Sequence, residues 1–179
     1  MRLFVALALP ARVLEDLARL CSGLPGGRWV RPENMHVTLR FIGEVDGAGA
    51  DDVHMALKRI RGPAFPLALT GLGSFQSGKR LRQLWAGVAD QPALIRLRDG
   101  VEKALVRTGL EPEGRKFIPH VTLARFNKKP RNKLGPYLEA NGAFSAAPFP
   151  VTAFVLMRSH LRQGGAQYEV LAEYALEET

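Results

Sequence analysis

The segment Met35-His36-Val37-Thr38-Leu39 recurs as Pro119-His120-Val121-Thr122-Leu123, and each copy runs within three residues into an arginine and a phenylalanine. Two such strings in a chain of 179 residues point to a duplicated structural unit. Both copies read as strands. Side chains two apart on a strand share a face, so His36 turns the same way as Thr38 and His120 the same way as Thr122. Val37, Leu39, Val121 and Leu123 then face a core. If the two strands lie together about a pseudo-two-fold axis, two imidazoles and two hydroxyls converge on one cleft. Phosphodiester cleavage uses such a pair: one neutral imidazole accepts a proton from the attacking oxygen while the other, protonated, donates one to the leaving oxygen. Histidine suits both tasks because its ordinary pKa lies near neutrality, and hydroxyls can hydrogen-bond phosphate oxygens.

Around these motifs, strands alternate with helices. Leu3 to Leu9 reads as a first strand, and Pro10 opens a helix with Val13, Leu14, Leu17, Leu20 and Cys21 on one stripe, stopped near Gly23. Asp51 or Asp52 is expected to cap a second helix through Val53, Leu57 and Ile60. Phe65 to Leu69 and Leu84 to Val88 read as strands around a glycine-rich basic turn. Pro92 starts a helix carrying Leu94, Leu97, Val101, Ala104 and Leu105, and Gly109 stops it. After the second motif come a basic run, Lys128 to Lys133, and strands at Val151 to Met157 and Tyr168 to Leu176, joined through Gly164-Gly165. Without regular βαβ spacing, the pattern predicts an α+β fold in a single domain over residues 1–179.

The net charge of +8 favours a polyanionic partner, nucleic acid being the commonest in a cell. No stretch approaches the ~20 apolar residues that a membrane span needs, so the chain is expected to be cytoplasmic, monomeric and free of any membrane. The single cysteine, Cys21, excludes an intrachain disulfide and a cysteine-rich metal site, and reads as an inert core thiol. His54 and His160 lack the His-x-Thr setting and read as satisfied structural histidines. Gly73 to Lys79 imitates a phosphate-binding P-loop, but Arg80 stands where the magnesium-ligating hydroxyl belongs, and a strand follows instead of a helix. It reads as a basic hairpin turn.

The longer strings Trp29 to Gly43 and Phe117 to Arg125 resemble the two-histidine phosphoesterases, in particular their bacterial and archaeal branch, the RNA 2′,3′-cyclic phosphodiesterases, also called 2′-5′ RNA ligases. Arg2 to Ala6, Leu84 to Val88 and Gly164 to Val170 fit the same family. The resemblance implies a bilobal fold: two pseudo-symmetric antiparallel sheets, helices outside and a central cleft. It implies opening of a terminal 2′,3′-cyclic phosphate to a 2′-phosphate without metal or cofactor, His36 donating the proton and His120 accepting one. Thr38 and Thr122 would hold the phosphate, with Arg125 as its charge partner. Strict alternation puts Arg125 on the face opposite His120, so a bulge or the strand's end must re-aim it. Alternation instead favours Arg40 as a substrate-binding residue and sends Phe41 toward the core. Arg115 and Lys116 are further candidates for the cleft wall. The implied partner is RNA with a 2′,3′-cyclic phosphate end, tRNA fragments or cyclic nucleotides.

Other readings stay open. No lysine is followed three residues later by glycine, the pattern of a nucleotide-dependent ligase, so any 2′-5′ RNA ligation must be ATP-independent and reverse the reaction at the same histidines. A metal hydrolase would need more ligands than the motifs carry, for neither contains an acid. A non-catalytic RNA- or nucleotide-binding module would explain charge and cleft without requiring both histidines.

Overall fold

The computed structural model describes residues 1–127 and 133–178, so most of the basic run at 128–133 lies outside the described residues. The first half of the chain runs β1 (Arg2–Ala8), α1 (Ala11–Ala18), β2 (Gly27–Trp29), a 3₁₀ turn (Pro32–Asn34), β3 (His36–Glu44), α2 (Gly47–Lys58), β4 (Phe65–Leu67) and β5 (Leu69–Ser77). The second half runs β6 (Arg80–Val88), α3 (Pro92–Val106), β7 (His120–Phe126), α4 (Leu134–Asn141), β8 (Phe149–Val151), β9 (Ala153–Arg162) and β10 (Gly165–Ala175). The repeat is visible in this order, with β1 answering to β6, β3 to β7, β4 to β8 and β5 to β9.

The halves exchange strands. One antiparallel sheet is ordered β10-β9-β1-β3 and the other β2-β7-β6-β5, so the first half lends β2 and β5 to the second sheet and the second half lends β9 and β10 to the first. At the crossover, β4 pairs with β8 so that Pro66 faces Pro150, Phe65 faces Val151 and Leu67 faces Phe149. The Phe-Pro-Leu and Phe-Pro-Val strings keep the same offset as the two histidine motifs, which places the local two-fold axis at the proline pair. The fold is α+β, as the pattern predicts, with the two main antiparallel sheets that the resemblance implies.

One face of each sheet and one stripe of each helix share a continuous core. It takes Leu3, Val5 and Leu7 from β1, Val37 and Leu39 from β3, and Leu84, Ala86, Val121 and Leu123 from the second sheet. Helices add Val13 and Leu17, Val53 and Leu57, and Leu94, Leu97, Val101 and Leu105. Burying each such side chain contributes roughly 1.5–3 kcal/mol before chain entropy is subtracted. The opposite face of β1 carries a small second cluster of Phe4, Ala6 and Val155, flanked by Met157 and Tyr168.

Several local expectations shift. The α2 helix begins one turn earlier than Asp51, because Asp46 caps it by accepting the Gly49 N–H at 2.7 Å and Ala50 adds to the core. The glycine-rich segment before Lys79 is strand β5 itself, and only Gly78, at φ 60°, and Lys79 make the turn. Gly73 is required there because a Cβ would sit 2.2 Å from the Trp85 indole. The α4 helix escapes the periodicity because it buries only Tyr137, whose hydroxyl donates to the Leu20 carbonyl at 2.7 Å. Cys21 is half-buried, its thiol pushed up by burial.

Candidate active site

The two motifs carry the same backbone irregularity. On β3, Thr38 pairs with Ala6 and Arg40 with Val5, leaving Leu39 as an extra residue. On β7, Thr122 pairs with Trp85 and Ala124 with Leu84, leaving Leu123 extra. A bulge of this kind turns every following side chain to the other face. The residue four past each histidine, Arg40 or Ala124, is therefore buried, and the residue five past it, Phe41 or Arg125, is exposed. This re-aims Arg125 into the cleft and overturns two expectations from strict alternation. Phe41 leaves the core and is 55% exposed. Arg40 leaves the cleft: its guanidinium ion-pairs with Glu102 and donates to the carbonyls of Phe41 and Glu111. Glu102 in turn accepts the Glu113 N–H at 2.8 Å. Arg40 is a brace between β3, α3 and the 111–113 segment.

A cleft of about 640 Å³ lies between the sheets, lined by His36, Thr38, Phe41, Gln83, His120, Thr122 and Arg125 among others. Both histidines are held alike. Nδ1 of His36 lies 2.7 Å from the Asn34 carbonyl, and Nδ1 of His120 lies 2.6 Å from the Ile118 carbonyl. A carbonyl only accepts, so each Nδ1 carries a proton and each Nε2 is left as the proton-exchanging atom. Nε2 of His36 is 3.0 Å from the Thr38 hydroxyl, the contact that strand geometry predicts. The Thr122 hydroxyl donates instead to Gln83 Oε1 at 3.3 Å.

Aromatic rings frame both imidazoles. His36 packs 4.9 Å from Phe4 and edge-on to Tyr168 at 5.3 Å. His120 packs edge-on to Phe75 at 5.0 Å and beside Trp85 at 5.7 Å. Burial is the main cause that lowers His36 from its ordinary value to about 4; the Asn34 carbonyl works against it, and the charges of Arg125 and His120 lower it further. Burial likewise lowers His120, opposed by the Ile118 carbonyl and aided by Arg125. Both shifts favour the neutral imidazole.

Sequence reasoning passes over Phe4, Asn34, Phe75, Gln83 and Tyr168, all of which line the cleft. Asn34 fixes the approach to β3 by donating to the Ala166 carbonyl at 3.0 Å. Tyr168 lies within the recognisable Gly164 to Val170 string, but nothing local to that string says it reaches His36. Arg115 lines the cleft and Lys116 an adjoining hollow. His54 and His160 are engaged elsewhere, with the Tyr174 hydroxyl at 2.8 Å and Glu169 at 2.7 Å. Among the described residues no group of three or more His, Cys, Asp or Glu side chains could hold a metal ion, and no helix is long and apolar enough to cross a membrane.

Paired imidazoles, hydroxyls and an arginine facing one cleft from duplicated strands have the chemistry to bind a phosphate and exchange protons with it, on an α+β fold of two main sheets. The chain belongs to the LigT-like phosphoesterase family, whose sequence model matches residues 7–85 and again residues 87–167, one histidine motif in each match. It is 39% identical over 166 residues to the RNA 2′,3′-cyclic phosphodiesterase of Aeropyrum pernix, covering 91% of this chain and 92% of that one. The RNA 2′,3′-cyclic phosphodiesterase of Escherichia coli is 31% identical over 185 residues, covering 98% and 96%. The crystal structure of E. coli LigT complexed with 3′-AMP superimposes with a TM-score of 0.82 at 30% identity, over 98% of this chain and 97% of that one.

Proposed function

We propose that this chain hydrolyses the 2′,3′-cyclic phosphate at the end of an RNA to a 2′-phosphate, with His36 as proton donor and His120 as proton acceptor. The observation that carries the reading is the pair of Nδ1-locked imidazoles, each presenting Nε2 to the same cleft from equivalent strands. His120 Nε2 takes a proton from water as its oxygen bonds to phosphorus. The P–O3′ bond breaks, and O3′ takes the proton from His36 Nε2. Thr38, Thr122 and Arg125 hold the non-bridging oxygens, Arg125 by charge-assisted hydrogen bonds.

His36 must carry a proton to act as the acid, yet burial lowers it to about 4. The substrate offsets this: an anionic phosphate between the rings favours the charged imidazole. The base fits the adjoining hollow of about 330 Å³, walled by Phe41, Phe75, Phe117 and Ile118. Of its cations, Arg40 pairs with Glu102, Arg98 lies over the Phe117 ring at 5.2 Å and Arg115 pairs with Glu113 at 3.1 Å, with Lys116 also on the wall, so the largely apolar and paired lining suits an uncharged heterocycle. Within this proposal the chain works as a cytoplasmic monomer on RNA ends such as tRNA fragments, or on free cyclic nucleotides, without a cofactor. The test is turnover of adenosine 2′,3′-cyclic phosphate in EDTA without ATP. Formation of the 2′-phosphate alone is expected. A 3′-phosphate product contradicts the reading, and activity abolished by EDTA and restored by Zn²⁺ or Mg²⁺ replaces it with a metal hydrolase.

A further inference from the structure

A second hollow of about 390 Å³ opens off the cleft beside β2 and the β9–β10 turn, walled by Arg28, Arg31, Arg125 and Arg162, with Glu33 as its acid. It meets the cleft at Val30, Asn34, Arg125, Ala166 and Tyr168, and shares no residue with the aromatic hollow beside His120. Among the described residues, none of these four arginines makes an ion pair. Arg19, Arg40, Arg98 and Arg115 all do. Moreover, Arg28 stands directly opposite Arg125 across the β2–β7 pair. Like charges facing each other across two strands oppose folding, so the arrangement is suited to an anion between them.

On a ribose held by its 2′,3′-cyclic phosphate, the base leaves from C1′ and the 5′ chain from C4′, so the two diverge from opposite ends of the ring. One hollow is aromatic and three of its four cations are ion-paired, only Lys116 making no such pair among the described residues, whereas none of the four arginines of the other makes one. We infer that the arginine-lined groove binds the phosphodiester immediately 5′ of the terminal nucleotide, so that the preferred substrate is an RNA strand and not a cyclic mononucleotide. This inference rests on the reading of the cleft as a cyclic phosphodiesterase site. Arg125 spans both sites, while Arg28, Arg31 and Arg162 serve only the strand. Guanidinium–phosphate contacts also make binding weaken with salt.

The test compares adenosine 2′,3′-cyclic phosphate with the dinucleotide ApA ending in a 2′,3′-cyclic phosphate. Wild-type protein should favour the dinucleotide in kcat/KM on the order of 10-fold or more, the scale of one or two charge-assisted hydrogen bonds. The double variant R31A/R162A should lose that preference and keep its rate on the mononucleotide. A dinucleotide whose internucleotide linkage is a neutral methylphosphonate should behave like the mononucleotide with wild-type protein. Equal rates on mono- and dinucleotide, an equal loss on both in the variant, or full preference for the methylphosphonate would overturn the groove. Binding of the matching 2′-phosphate products needs no turnover and separates the two proposals. If wild type hydrolyses neither substrate but binds the dinucleotide product more tightly, through Arg31 and Arg162, the phosphodiesterase reading falls and the groove stands. If it binds both products alike, the groove falls.

Discussion

The two lobes place His36-x-Thr38 and His120-x-Thr122 on the same bulged backbone, yet they surround them with different chemistry. Bulges at Leu39 and Leu123 set equivalent positions, so Phe41 answers to Arg125. On the neighbouring strands, Phe4 opposite Phe41 answers to Gln83 opposite Arg125. Each lobe packs its histidine against two aromatic rings, Phe4 and Tyr168 for His36 and Phe75 and Trp85 for His120, but only the first also sets a threonine hydroxyl, that of Thr38, within hydrogen-bond reach of Nε2 among the described residues. The second puts Arg125 and the Gln83 amide on its cleft face and, among the described residues, gives Nε2 of His120 no hydrogen-bond partner. Duplication supplies two copies of one imidazole; the substitutions around them make the copies unequal, as the proposed acid and base must be.

The largest expected effect comes from removing either copy. His36→Ala and His120→Ala should each lower turnover by roughly 10²-fold or more, the scale of losing a general acid or base. Circular dichroism should show the fold intact, because both side chains face the cleft. A single variant that keeps near-full activity would break the comparison at once.

The next effect separates Phe41 from Arg125. Arg125→Ala should lower kcat/KM by about 10-fold or more, as the loss of charged hydrogen bonds to phosphate, whereas Phe41→Ala should act mainly through KM by loosening the base. Equal losses in kcat for both would mean that the equivalent positions do the same work. Arg40→Ala should show the opposite profile. Its pair with Glu102 is nearly buried, so breaking it should cost about 3 kcal/mol of stability in a denaturant titration, with a smaller change in turnover than Arg125→Ala.

These substitutions also mark how far the sequence could be read. The repeated histidine strings carry the duplication, the sheets and the facing of His36 with Thr38, because strand periodicity is local. Arg40, Phe41 and Arg125 turn on bulges, which arise from pairing with a distant strand and leave no local mark. The resemblance placed Arg125 in the cleft where alternation could not, and the same shift applied to the first motif would have placed Phe41. The equal offset of the Phe-Pro strings at 65–67 and 149–151 was a legible trace of the two-fold axis. Tyr168, Phe75 and Gln83 reach the cleft only through tertiary packing.

A subtler effect is on pH. Burial sets both imidazoles below their ordinary value, so the bell in kcat/KM should centre on the acid side of neutrality, its apparent pKa values belonging to the coupled pair. The bell in kcat should lie at higher pH, since bound phosphate favours the protonated rings. For folding, a His36 value near 4 in the native state against about 6.5 unfolded means that the unfolded chain binds more protons between those limits. Stability should therefore fall as pH drops through 6.5 toward 4. His36→Gln should make that fall shallower, which thermal melts across this range would read. An unchanged slope would remove burial as the source of the asymmetry.

The central claim is that the lobes have made His36 the acid and His120 the base, and it can be tested on the leaving group. In a cyclic substrate whose 3′ oxygen is replaced by sulfur, the leaving group departs without needing a proton. Turnover of this substrate by His36→Ala should recover a large part of the lost rate, while His120→Ala, still lacking the group that activates water, should stay inactive. Recovery in His120→Ala and not in His36→Ala would contradict the assignment and reverse the roles of the two lobes.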